Sequence, residues 1–176
     1  LFFNSDIIIS KAHVNENMES PYRNGCADEV LFIHEGCGTF KSNFGNINLF
    51  QGHYLVIPRG IIWELSIETT MRVLVIESTA PIETPNRYRN NFGQLLEHAP
   101  FSERDIVLPE FVEPVLDRPV EVDVKLTQGI QKYTYQHHPF DIVGWDGFYF
   151  PYAFNINDFM PITGKIHQPP PVHQTF

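Results

Sequence analysis

Histidines and buried-type carboxylates are the groups in this sequence best suited to holding a metal, and they gather in two places. The first is residues 137–176, HHPFDIVGWDGFYFPYAFNINDFMPITGKIHQPPPVHQTF, where His167 and His173 stand among prolines after a run of aromatics. A neutral imidazole offers a nitrogen lone pair, so both qualify as metal ligands. The second is the glycine-punctuated region around Glu29, with His34 and His53 inside it and His13 upstream. His34 falls on an expected strand just before a turn and His53 in a turn beside Gly52. A surface or hydrogen-bonded structural histidine is the expectation for all three, because no spacing makes them a metal trio. Asp141 and Asp146 flank turns, where a carboxylate caps backbone N–H groups and needs no chemical role.

The elements that must position these groups read as strands. Residues 30–57 alternate short β-type runs with glycine: VLFIH, EGCG, TFKSNFGNINLF, QGH, YLVIP. Gly36, Gly38, Gly45 and Gly52 fall where tight turns call for positive φ. A strand over residues 1–10 and another over residues 72–77 (RVLVIE) bring the expected number before Pro81 to four or five. No helical period interrupts them, which points to a sandwich or small barrel. From Pro81 the texture changes. Prolines at 81, 85, 100, 109, 114 and 119 predict an extended excursion, with one short helix over residues 92–98 capped by Asn90 or Asn91 and ended by Pro100. A segment this long is expected to wrap over the barrel or reach a neighbouring subunit. Strand character returns over residues 120–126 and 131–136.

Composition narrows the function classes. Hydrophobic residues make up 43% and charged residues 19%, a globular balance, and fifteen phenylalanines suit a β-dominated core. A formal net charge of −9 without a Lys/Arg block argues against nucleic acid. No apolar run is long enough for a membrane span and no leader pattern is visible. A soluble, cytoplasmic protein is expected, with Cys26 and Cys37 as free thiols. An opening apolar strand without methionine and a proline-rich ending lead us to expect a piece of a longer chain.

Two short motifs carry a resemblance to the cupin barrels. Glu29 is followed after six residues by Gly36; Gly52 is followed after five by Pro58-Arg59-Gly60 and, two residues on, by Trp63. In order and separation these resemble the two cupin motifs, and the resemblance implies an all-β fold, a cupin-type antiparallel barrel or jelly roll with a long Pro-rich excursion and additional strands. Metal-binding cupins carry a His-x-His pair ahead of the glutamate and a histidine at the end of the second motif. Here Tyr22 and Asn24 (or Arg23 and Gly25) and Trp63 occupy those places, and only Glu29 remains of the four. The expectation is a barrel without a catalytic metal.

The second half is similar to homogentisate 1,2-dioxygenases. Pro139, Phe140, Asp141, Ile142, Val143, Gly144, Trp145, Asp146 and Gly147, followed by Pro151, Tyr152, Asn155, Asn157 and Phe159, resemble the central region of that family, and the degenerate cupin resembles its amino-terminal barrel. The resemblance implies three parts: a metal-free cupin over residues 1–80, a Pro-rich linker with a short helix over 81–119, and central strands over 120–176 leading to a carboxy-terminal catalytic cupin outside this sequence. It implies ring opening of homogentisate by O2 to maleylacetoacetate in tyrosine and phenylalanine breakdown, in a homo-oligomer, with Fe(II) held by ligands outside this sequence. No iron ligand and no other cofactor-binding residue carries over. One catalytic role does: His167 matches a histidine that assists proton transfer with the substrate hydroxyl, with His173 as its rival. Trp145, Tyr149, Tyr152 and Phe154 could line the approach to an aromatic substrate, although core packing is the commoner fate of such residues. The alternatives are a non-catalytic cupin serving as a binding or assembly module, and a ring-cleaving dioxygenase of the gentisate type.

Overall fold

Apolar residues alternating with polar ones, interrupted every few positions by glycine or proline, give short strands with one buried face. The computed structural model describes residues 1–114, 118–160 and 175–176. Its strands are β1 (Phe2–Phe3), β2 (Ile7–Val14), β3 (Tyr22–Asn24), β4 (Asp28–Glu35), β5 (Gly38–Ser42), β6 (Gly45–Leu49), β7 (His53–Ile57), β8 (Ile62–Ile67), β9 (Met71–Ser78), β10 (Ile106–Val107), β11 (Val120–Leu126), β12 (Gly129–Tyr135) and β13 (Tyr152–Asn155). They form two sheets, ordered β1-β2-β9-β4-β7-β13-β10 and β12-β11-β3-β8-β5-β6. Among the described residues every strand pairing is antiparallel except β3 with β11, which is parallel. The fold is all-β and of the cupin type.

Between the sheets lies the main core. Leu31 and Ile33 of β4, Leu55 and Ile57 of β7 and Val73 of β9 meet Phe40, Ile47, Leu49, Trp63 and Leu65 from the opposite sheet. Each large side chain buried there contributes about 1.5–3 kcal/mol of transfer free energy. The motif glycines fit their turns: Gly36, Gly52 and Gly60 have φ of 86°, 90° and 87°, a region that costs a residue with a Cβ. Gly38 differs from expectation. It lies within β5 with an ordinary φ, and a Cβ there would sit 2.5 Å from the Ser66 carbonyl oxygen. Close approach of β8 is what requires a glycine at this position.

The proline-rich excursion covers the outside of the first sheet. Tyr88 and Phe101 pack against Phe154 of β13 and Tyr54 of β7, the Phe101 and Phe154 rings having centroids 4.9 Å apart. The helix expected over residues 92–98 is absent. Asn90 Oδ1 accepts the N–H groups of Phe92 (2.9 Å) and Gln94 (3.1 Å), Gly93 takes φ 83°, and Leu95 bridges back to Arg89. A side chain bonded to its own following backbone competes with helix formation. One-turn 3-10 helices occur instead at Asn86–Tyr88 and Glu103–Asp105. Nine strands, not four or five, precede Pro81; β3 and β8 are among those the sequence pattern left unmarked. No helix among the described residues is long and apolar enough to cross a membrane.

Candidate functional site

The four positions that match a cupin metal centre do converge. Tyr22 of β3 lies opposite Trp63 of β8 in register, with the rings edge to face and centroids 5.5 Å apart. Asn24, two residues on, directs its amide into the barrel. Its Nδ2 donates to Glu29 Oε1 (3.0 Å) and to Glu77 Oε2 (2.9 Å). Its Oδ1 accepts from the backbone N–H groups of Cys26 (2.9 Å) and Ala27 (3.0 Å), so the side chain also shapes the turn from β3 into β4. Tyr22 Oη completes the set, donating to Glu29 Oε1 at 3.4 Å.

Two charged partners complete the cluster. Glu77 of β9 is the cross-strand neighbour of Glu29 on β4, which sets two carboxylates side by side. Lys125 of β11 forms an ion pair with Glu77 and lies beside Asn24 in the parallel pairing. The cluster thus joins β4 and β9 of one sheet to β3, β8 and β11 of the other.

Glu29 is buried, with 4% of its surface exposed, and its pKa is pushed up from 4.5 to about 7. Loss of water is the largest cause. The amide of Asn24 opposes it, the charge of Glu77 adds to it, and the indole N–H of Trp63 and the charge of Lys125 oppose it. Trp63 Nε1 lies near enough to favour the anion, yet Nε1 and Glu29 Oε2 are both buried without a hydrogen-bond partner among the described residues. Desolvation together with the neighbouring carboxylates raises the Tyr22 phenol as well. This donor set does not suit a metal ion: it offers two carboxylates and no imidazole, and both carboxylates are already engaged, Glu29 through Oε1 by an amide and a phenol and Glu77 by Asn24 and Lys125. What it can do is hold a proton near neutrality and brace the two sheets.

The histidines named above are dispersed. His13 and His34 share a surface cleft with Lys11 and Arg72. His34 lies at a bulge where β4 and β9 shift register. His53 is buried, its Nδ1 accepts the Phe50 N–H at 3.4 Å, and burial lowers its pKa against the opposing charge of Asp158. Among the described residues no group of three or more His, Cys, Asp or Glu side chains could hold a metal. His167 and His173 lie outside the described residues. Both cysteines are free thiols.

The aromatic candidates divide. Phe154 is core. Tyr152 lines a cleft of about 470 Å³ together with Phe92, Phe101, Phe148 and Phe150, and burial, with the charges of Glu83 and Asp28, raises its phenol to about 12. Trp145 packs edge-on to Phe44, centroids 5.5 Å apart, and Tyr149 is raised mainly by burial. Asp146 accepts the Gly147 N–H at 2.8 Å. Asp141 instead pairs with His137 Nε2 at 3.2 Å. Glu77 and Lys125 are functional-site residues that sequence reasoning misses: Glu77 is one charged residue near the end of β9 (MRVLVIES) and Lys125 one of three charges alternating with apolar residues along β11 (VEVDVKL), so neither stands out.

Comparison with known proteins shows the family. The homogentisate 1,2-dioxygenase N-terminal family matches residues 3–156. An inferred dioxygenase of Saccharolobus solfataricus is 41% identical over 177 aligned positions, covering 100% of this chain and 46% of that protein. The homogentisate 1,2-dioxygenase of Nitrobacter hamburgensis is 30% identical over 137 positions, covering 76% of this chain and 30% of that enzyme. A cupin 2 conserved barrel domain protein from Leptotrichia buccalis superposes with a TM-score of 0.42 at 10% identity, over 88% of this chain and 80% of that one. The chain therefore spans less than half the length of these two dioxygenase relatives. It belongs to the homogentisate 1,2-dioxygenase N-terminal family.

Proposed function

We propose that this chain is the amino-terminal and central part of an enzyme that opens the homogentisate ring with O2 to give maleylacetoacetate. The family match over residues 3–156 is the observation that carries the reading. The cluster around Glu29 supports it from the other side, since a barrel whose ligand positions hold Tyr22, Asn24 and Trp63 offers iron no fitting site. Fe(II), which would bind and activate O2 and the substrate, belongs in this reading to a carboxy-terminal cupin outside residues 1–176. The division into residues 1–80, 81–119 and 120–176 follows the same reading. Within the chain, His167 is the residue assigned to proton transfer with the substrate hydroxyl, His173 being the rival. A cytoplasmic homo-oligomer goes with the reading. Exposed Phe2, Phe3, Ile7 and Ile9 on β1 and β2 support the oligomer, as such a patch favours a covered face.

Oxygen uptake by the purified full-length protein, with homogentisate and gentisate as parallel substrates and iron measured in the same preparation, tests this. Stoichiometric uptake on homogentisate that is lost on chelation and restored by Fe(II) is the expected result. Iron-loaded protein that leaves homogentisate untouched would overturn it. His167→Ala should lower kcat by about 10²-fold or more, the range for a lost general acid or base; unchanged turnover removes His167 from its role.

A further inference from the structure

A cavity of about 360 Å³ opens beside the turn between β5 and β6, and three separate stretches of chain build it together with Arg118. The turn itself is rigid: Ser42 Oγ donates to the Gly45 carbonyl at 3.0 Å and accepts the Phe44 N–H at 3.1 Å. Segment 110–113 forms a second wall, tied to β6 by paired backbone bonds between Asn46 and Glu110 of 2.9 and 2.7 Å. Only a glycine permits that approach, because a Cβ on Gly45 would lie 2.2 Å from the Glu110 carbonyl oxygen. The third wall is loop 138–142, seated by Phe140 on the small core of Ile62, Val122 and Val124.

Two basic side chains face the space in a chain of formal net charge −9. Lys41 and Arg118, with the imidazole of His138, border it against a single carboxylate, Glu113. Lys41 is 3.4 Å from Glu64; Arg118 has no ion pair among the described residues. His138 Nδ1 accepts the Phe140 N–H at 3.3 Å, which in the neutral ring puts the proton on Nε2 and leaves an N–H donor without a partner among the described residues. Val112, Phe140 and Ile142 supply apolar wall. A planar guanidinium fork matches a carboxylate, and apolar walls of this extent exceed the needs of a bare inorganic anion. We propose that this cavity binds a small organic monocarboxylate, its charged end on Arg118 and His138 and its apolar body against Phe140 and Ile142.

Phenylacetate is the probe, titrated calorimetrically into the purified full-length protein beside 2-phenylethanol, acetate and phenyl phosphate. Saturable binding of phenylacetate is expected, at least about tenfold tighter than each of the other three, since the alcohol lacks the charge, acetate the body and the phosphate ester the planar carboxylate. Arg118→Met and His138→Ala should each weaken it about tenfold or more, with oxygen uptake on homogentisate unaltered in Arg118→Met. A phenylacetate soak should place density between Arg118 and Phe140. No binding at millimolar phenylacetate, wild-type affinity in both variants, density elsewhere, or a preference for phenyl phosphate would each overturn the proposal. Oxygen uptake is a separate readout, so loss of the ring-opening reading leaves this one standing, and the reverse.

Discussion

Replacing Glu29 by glutamine should flatten the dependence of stability on pH between about 5 and 8. The carboxyl is faced by Tyr22 and Asn24 from β3, Trp63 from β8, Glu77 from β9 and Lys125 from β11, and the balance of these groups lifts its pKa from 4.5 to about 7. A folded-state pKa above the unfolded one means that the native state binds the proton more tightly. The resulting stability is fully present below about 4.5 and is lost as pH rises through about 7. At about 1.4 kcal/mol for each pH unit of displacement, the loss amounts to roughly 3 kcal/mol. In a chain of this size that corresponds to a fall in Tm of roughly 6–12 °C.

Glutamine keeps the shape of the protonated acid and can still accept the Asn24 N–H, so Glu29→Gln should match the wild type near pH 5. Near pH 8 it should be more stable by up to roughly 3 kcal/mol, because the buried charge is gone. Denaturant melts of both proteins from pH 5 to 8 read the difference directly, and infrared difference spectra of the carboxyl C=O stretch report the proton itself. Curves for the two proteins that run parallel over that range would refute the reasoning, for they would mean that Glu29 is already ionised at pH 5 in the fold.

Glu77→Gln removes the neighbouring charge that raises Glu29, so the same melts should show the pH-sensitive window moved toward lower pH. Asn24→Asp puts a third carboxylate against Glu29 and Glu77 and removes an N–H donor; a loss of about 3–5 kcal/mol is expected at pH 8, smaller at pH 5, measured by denaturant midpoint. Phe101→Ala should cost about 3–5 kcal/mol and free the excursion from β13, which limited proteolysis would register as new cuts between residues 81 and 110. Gly60→Ala, at φ 87°, should lower stability by about 1–2 kcal/mol without altering the pH response.

The parts of this fold legible in the sequence are those fixed by local geometry. Glu29, Gly36, Gly52, Pro58 and Gly60 occupy a spacing in which each glycine meets a positive φ, and strand β11 (Val120–Leu126) coincides with its apolar alternation. Of the two fates expected for the excursion, wrapping over the barrel or reaching a neighbouring subunit, the packing of Tyr88 and Phe101 on Phe154 and Tyr54 matches the first. What local pattern could not supply was register. Glu77 reaches Glu29 only because β9 pairs with β4 at that offset, and Lys125 reaches the cluster through a parallel pairing between strands a hundred positions apart. The expected helix at 92–98 fails for a local reason: Phe92, Leu95, Leu96 and Ala99 stand at helical spacing, but Asn90 followed by Gly93 is turn chemistry, and the turn prevails.

The substitutions at the metal positions make better sense as one set than as separate losses. An isolated carboxylate at the place of Glu29 would be a buried charge without compensation, which costs several kcal/mol. Tyr22 and Asn24 supply donors to its Oε1, Trp63 presents an N–H nearby, and Lys125 answers the second carboxylate, Glu77. Each group stabilises the others through the same proton. Their effects on stability should therefore not add. Asn24→Ala in the Glu29→Gln background should cost less than in the wild type, because the charge that most needs the amide is no longer there. Where metal-binding cupins place their ligands, this barrel sets a carboxylate of raised pKa in a ring of donors, and the cohesion of its two sheets is therefore expected to vary with pH.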